Sequence, residues 1–374
     1  MSIKMTLPKW YDLHVHLRQD ELLPIVIADH IKSGCAGVLA MPNTKPPVAK
    51  ILESDSGDFW SIEAYQRMID DAGGDAFQKV IVPLYLTKET TVEMVEKGVE
   101  SKFLVACKYY PPHGTTNADH GRELKYFIDN GVFAKMAELG VVLCIHGEEH
   151  DLDTEDYFDR SHNAEELFYQ TKMPALHNQF PDLKIVCEHL TTKVAVDFVK
   201  ASNENVSATV TPQHLLYTIS DLVKGLKYHL YCLPLLKFKE DREALRKAVT
   251  ESSNTKFFAG TDSAPHSKKV TECGCAAGCY TAPIAPQLYA GAFECSGIDL
   301  SAGCGQDSFR KFLCEIGPRF YNFPISLESF VLKKEEIKVF PGLVGGVGDK
   351  NHLIPLPLGL SEDASSAYLN WKVL

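Results

Sequence analysis

Short apolar, β-branched runs that end abruptly in polar residues alternate along most of this chain with longer stretches of helical spacing. Eight runs read as strands: WYDLHVHL, GVLAMPN, VIVPLYLT, FLVACKYY, VVLCIHGE, KIVCEHLT, VSATVTPQH and KFFAGTDSAPH. Between them lie helix candidates such as ELLPIVIADHIKSG, SIEAYQRMIDDAGG, GVFAKMAELG, TTKVAVDFVKAS and EDREALRKAVTESS, several closed by glycine where a helix C-terminus favours it. Eight strands with intervening helices and nearly continuous apolar strand interiors predict an α/β fold, a parallel (β/α)8 TIM barrel with short N- and C-terminal extensions. The alternative is an open doubly wound sheet, but no glycine-rich dinucleotide loop follows the first strand. No low-complexity linker interrupts the pattern. The expectation is therefore one domain over residues 1–374, with 317–374 as a C-terminal extension packed on the barrel.

Composition narrows the partners. The 374 residues are 45% hydrophobic, enough for a sizeable core, and the net charge of −11 comes without any lysine or arginine run. That balance argues against nucleic acid and for a small-molecule substrate. The opening MSIKMTLPKWYDLH lacks the apolar core of a signal peptide, and nothing approaches the roughly 18 consecutive apolar residues of a membrane span. No membrane partner and a cytoplasmic location are expected. Eleven cysteines, an odd count with Cys107, Cys144 and Cys187 inside apolar strands, fit buried free thiols better than a disulfide framework. The exception is the tight cluster CGCAAGC, residues 273–279, which reads as a loop or as three ligands of a structural zinc.

The chemistry sits where the strands turn polar. In DLHVHLR, His14 and His16 are two apart and share one face of the strand with Asp12. Asn43 ends the second strand, Lys108 the fourth, His146 the fifth, His189 the sixth and Asp262 the eighth. Taken singly, a histidine at a strand end is more often a hydrogen-bonded structural residue than a ligand, and Asp262 could cap a turn. Together, four histidines and an aspartate at the C-terminal mouth of a barrel make a poor core and a good cradle for a divalent metal. Lys108 is the odd member, because an ammonium beside such ions would be repelled. Either carbamylation turns it into a carboxylate that bridges two metals, with a hydroxide as second bridge, or it is a lysine ion-paired with Asp262 or a nearby glutamate. Spacing leaves both open. The acidic run EEHDLDTEDYFD, residues 148–159, reads as a solvated face.

The segments HVHLR, MPNTKPP, CKYYP with TTNADHG, IHGE, EHLTTK, TPQHL, HLYCLP, GTDSAPH and CGCAAGCYTAP resemble, in order and spacing, the bacterial-type monofunctional dihydroorotases of the amidohydrolase superfamily, over about residues 10 to 325. The resemblance implies two zinc ions per subunit, bridged by carboxylated Lys108 (N6-carboxylysine) and a hydroxide. His14, His16, Lys108 and Asp262 would hold one ion, and Lys108, His146 and His189 the other. It further implies Asp262 as general acid and base, and reversible interconversion of N-carbamoyl-L-aspartate and L-dihydroorotate, the third step of pyrimidine synthesis. Arg18, Asn43 and His266 would grip the substrate carboxylate, with His16 and His146 also at the substrate. Leu233 and an alanine of the cysteine-rich loop, Ala277 in preference to Ala276, would meet the ring through their backbones. Thr115 and Thr116 would belong to a lid loop, His214 would orient a neighbouring group, and a homodimer is the family's usual assembly. Competing readings are another cyclic amidohydrolase, acting on hydantoins, dihydropyrimidines or allantoin, and a non-catalytic scaffold that keeps the barrel.

Overall fold

All eight expected strands form, and each is parallel to its neighbours. The computed structural model describes residues 3–112, 114, 118–160, 162–272, 274–343, 352–360 and 367–374. The barrel strands are β1 (Trp10–Val15), β2 (Cys35–Ala40), β3 (Lys79–Ile81, resuming at Leu84–Tyr85), β4 (Ala106–Tyr109), β5 (Val142–Ile145), β6 (Ile185–Cys187), β7 (Val206–Val210) and β8 (Phe257–Ala259). The run VIVPLYLT is thus two short pieces rather than one strand. Pro83 has no N–H to give a ladder, so the first piece pairs with β2 and the second with β4.

The seam between β1 and β8 is closed by backbone bonds beyond the ends of β8. Asp262 N donates to His14 O at 2.8 Å, and His16 N donates to Ser263 O at 3.0 Å. Closure therefore passes through the very residues that carry the candidate chemistry.

A helix follows each strand: Leu22–Lys32, Ile62–Asp71, Val92–Glu100, Val132–Leu139, Ala164–Gln179, Lys193–Ala201, Lys239–Thr250 and Ala285–Cys295. Ser61, Thr91, Asn163 and Thr192 accept the N3 backbone N–H at four of these starts, each cap contributing about 1 kcal/mol. Apolar residues between strands and helices, such as Val26, Tyr65, Phe168 and Val199, form the outer core. Inside the barrel lie Tyr11, Leu13, Leu39, Ile81, Val142 and Phe258, with Ile316 and Tyr321 plugging the lower end.

The chain ends form a separate three-stranded antiparallel sheet. Lys4–Pro8 pairs with Ser329–Val339, which pairs with Ala367–Val373. Trp371 of this sheet is buried, and its Nε1 donates to Glu294 on the last barrel helix at 3.0 Å. Among the described residues no helix is long and apolar enough to cross a membrane.

Candidate metal centre

The C-terminal rim of the barrel gathers the strand-end histidines into a row. His14 and His16 have ring centroids 5.7 Å apart, His14 and His189 4.9 Å, and His189 and His146 4.7 Å. At one end, His14, His16 and Asp262 each present a ligand atom, all within 4.8 Å of one another. Asp262 Oδ1 lies 3.1 Å from His16 Nε2 and 3.4 Å from His14 Nε2. At the other end, His146 Nδ1 lies 3.2 Å from His189 Nε2. Lys108, fully buried on β4, points its Nζ over the Tyr110 ring, 4.9 Å from the centroid, and that nitrogen has no hydrogen-bond partner among the described residues.

Asp12 does not share this site. The β1–β2 pairing shifts register between Asp12 and Val15, which breaks the two-residue alternation. The Asp12 carboxylate instead accepts from Thr261 N at 2.9 Å, from Thr261 Oγ1 at 2.6 Å and from His30 Nε2 at 3.1 Å. It fastens β1, β8 and the first helix together beneath the ligands.

Burial and neighbouring groups together set the protonation states. Burial pushes the His16 pKa down to about 4, with Asp262 pulling only partly the other way, and it takes His189 well below the ordinary histidine value, helped by His146 and His14. Burial alone would raise Asp262, but the hydrogen bond with His16 and the field of His14 outweigh it and hold the carboxyl below its ordinary range. Burial also lowers Lys108, against the opposing pull of Glu188, Cys144 and Asp262. The residues fit a divalent metal: neutral imidazoles and an ionised carboxylate are the ligating forms, and the buried His14 Nε2 has no hydrogen bond among the described residues.

Two carboxylates that the sequence reading left without a role orient the histidines. Glu188 Oε2 accepts from His14 Nδ1 at 2.7 Å, and Glu148 Oε2 accepts from His146 Nε2 at 2.8 Å. His14 therefore turns Nε2 to the site and His146 turns Nδ1. Glu148 also corrects the reading of 148–159 as a solvated face, since it is only 2% exposed. Its place two residues after a strand-end histidine was the available signal. Arg18, His189 and Asp262 have φ of 66°, 41° and 48°, left-handed values that cost non-glycine residues about 1–2 kcal/mol each.

Beside the ligands is a cleft lined by His16, Arg18, Asn43, Asp262, Leu233 and Ala277. The Arg18 Nε donates to Pro265 O at 3.1 Å, and its Nη2 lies 3.1 Å from His266 Nε2, which is 2.7 Å from Ala277 O. Ala276 instead spends its N–H on Lys269 O, inside the loop. His214 Nε2 donates to Pro234 O at 3.1 Å, fixing the segment that carries Leu233. Thr115 and Thr116 lie outside the described residues, as does Cys273. Among the described residues, the His14, His16 and Asp262 group is the one set of His, Cys, Asp or Glu side chains gathered for a metal.

The model of the amidohydrolase family matches residues 5–288. The dihydroorotase of Acaryochloris marina is 38% identical, covering 99% of this chain and 99% of its own, and that of a Picosynechococcus is 42% identical over 88% and 90%. The chain belongs to the dihydroorotases of the amidohydrolase family. The expected barrel is borne out as well: dihydroorotase from Saccharomyces cerevisiae superposes with a TM-score of 0.83 at 27% identity, covering 100% of this chain and 98% of that one. A dihydropyrimidinase from Brevibacillus agri, at 13% identity and a TM-score of 0.71 over 99% and 83%, shares the fold. With the dihydroorotase family comes its class of activity, hydrolysis of a cyclic amide, as expected, and the competing reading of a non-catalytic scaffold is set aside.

Proposed function

We propose that the chain interconverts N-carbamoyl-L-aspartate and L-dihydroorotate with two zinc ions held at the barrel rim. His14, His16 and Asp262 would hold one ion and His146 and His189 the other, with Lys108 carboxylated between them. The observation that carries this reading is the unbroken histidine row, His16 to His14 to His189 to His146, with ligand atoms paired at both ends. Lys108 supports it, since a buried amine without a hydrogen-bond partner among the described residues, biased towards its neutral form by burial, is suited to adding carbon dioxide.

Zinc in such a site supplies Lewis acidity and a water acidic enough to ionise near neutral pH. The chain's own residues supply position and proton movement. Asp262, held ionised beside His16, accepts a proton from the attacking water and hands it to the ring nitrogen as the amide C–N bond breaks. In the synthetic direction the ureido nitrogen gives that proton to Asp262, which returns it to the departing water. Arg18, Asn43 and His266 would receive the substrate carboxylate, while His16, His146 and the Leu233 and Ala277 backbones meet the rest of the ring. Thr115 and Thr116 would close over it. The yeast structure is a complex with 5-fluoroorotic acid, and an orotate-like ring is the ligand class proposed here. We place the protein in the cytoplasm as a homodimer, without nucleic-acid or membrane partners, one domain over 1–374 with 317–374 as an extension.

Turnover of L-dihydroorotate against dihydrouracil and hydantoin on one preparation tests the assignment. Losing a buried charge-assisted pair to the carboxylate costs about 3 kcal/mol, so dihydroorotate should lead by about 100-fold. Equal turnover of hydantoin would move the chain to the other cyclic amidohydrolases.

A further inference from the structure

Glu188 does more than face one histidine. Its side chain is fully buried, and one oxygen, Oε2, takes two short bonds: from His14 Nδ1 at 2.7 Å and from Thr209 Oγ1 at 2.6 Å. Thr209, on β7 and fully buried, turns the same hydroxyl into an acceptor for the backbone N–H of His189 at 2.7 Å. A continuous chain of bonds thus runs from the His14 ring through Glu188 and Thr209 to the His189 backbone. Those two histidines lie at opposite halves of the ligand row, and His189 is held at a φ of 41°, a conformation that a free chain seldom adopts. The barrel leaves room for the linking residue: a side chain at Gly260 would meet the Thr209 methyl at 2.7 Å.

We propose that Glu188, acting through the Thr209 hydroxyl, is a positioning residue that locks the two halves of the metal centre to one another. It fixes His14 as the Nδ1–H form, leaving Nε2 for one ion, and through Thr209 it fixes the backbone turn that aims His189 at the other. This rests on the two-ion reading above. Its consequence is a coupling: removing the link loosens both ions, although neither Glu188 nor Thr209 belongs to the ligand set.

The test compares wild type, Glu188→Ala, Thr209→Val and Thr209→Ser, each checked for folding by circular dichroism. Zinc affinity at both positions is measured by chelator competition. The ring protonation of His14 is read from long-range proton–nitrogen spectra of metal-free protein, with the signal assigned through His14→Asn. Wild type should show Nδ1–H. Glu188→Ala should shift His14 towards the other tautomer and weaken both zinc ions by about 10- to 100-fold, the usual cost of losing a partner of a ligating histidine. Thr209→Val, which keeps the shape and deletes the hydroxyl, should weaken both, and Thr209→Ser should restore them. Should Glu188→Ala fail to fold, the valine and serine pair still decides. An unchanged His14 tautomer in Glu188→Ala overturns the proposal, as does weakening of one ion only or a serine variant no better than valine. A wild-type protein that binds fewer than two zinc ions would instead defeat the two-ion reading itself, a separate result.

Discussion

At the scale of single residues, the site sets imidazoles kept neutral by burial, His16 and His189, beside a carboxylate kept ionised by the hydrogen bond with His16 and the field of His14, Asp262. Asp262 is the residue on which ligation and proton transfer meet. Asp262→Asn keeps an oxygen for the metal and loses the basic carboxylate. It should fold and retain metal while turnover falls by at least about 100-fold, the usual range for a positioned acid or base. Parallel loss of metal and activity would make the residue chiefly structural. The histidines give a pH dependence with a definite sign. His16 and His214 sit near 4 in the folded chain against 6.5 ordinarily. Between those values the unfolded chain binds more protons, so their contribution to stability is complete above the upper value and is lost as pH falls towards the lower one. Asp262, Glu148 and Glu188 have depressed values, so their loss comes only below the ordinary carboxylate range. The melting temperature of metal-free protein should therefore fall steadily as pH drops from about 6.5 to about 4. A flat profile over that interval would contradict the buried neutral histidines.

At the scale of elements, six of the eight barrel strands place a polar side chain of the site by ending at the right height, and the helices and plug hold it there. The plug is the short helix Ile316–Phe320, where Gly317 allows contact: a Cβ there would lie 2.3 Å from Leu13 and 2.8 Å from Phe258. Gly317→Ala should destabilise the protein by about 1–3 kcal/mol through overpacking, read as a lower denaturant midpoint. Zinc affinity should stay unchanged, because the rim is at the other end of the barrel. The strands were legible because a doubly covered sheet needs apolar runs, and their polar ends because the rim is where such a fold keeps its chemistry. What escaped the sequence was direction. Nothing in the two-residue spacing of DLHVHLR announces the register shift that sends Asp12 to Thr261 and His30. Glu188 and Glu148 looked like neighbours of ligands or like part of an acidic surface. The partner of Glu188, His14, comes into view only when the closed barrel brings the non-adjacent strands β1 and β6 to one rim, whereas Glu148 meets His146 within its own segment, two residues away. The helix Ala164–Gln179 was absent from the named candidates, and it carries Pro174 in its interior. Its buried Phe168, Tyr169, Met173 and Leu176 outweigh the roughly 3 kcal/mol that an interior proline costs.

At the scale of the whole molecule, the barrel is closed twice over. The β1–β8 seam is tied by the Asp12 network and by backbone bonds through His14 and Asp262, while the two chain ends meet in one antiparallel sheet outside it. The metal ligands are thus part of what holds the ring shut. An acidic chain of net charge −11 meets an anionic substrate at a cleft where Arg18 stands beside His266, so local positive charge rather than the overall field must guide binding. The proposed two-zinc site at the rim of this barrel would make and open the dihydroorotate ring. The most direct test is zinc content per chain, measured on protein purified without chelator, against turnover of dihydroorotate as zinc is withdrawn and returned. Two zinc ions per chain are expected, with turnover that vanishes on removal and returns as both are restored; full turnover in metal-free protein would contradict a two-zinc site.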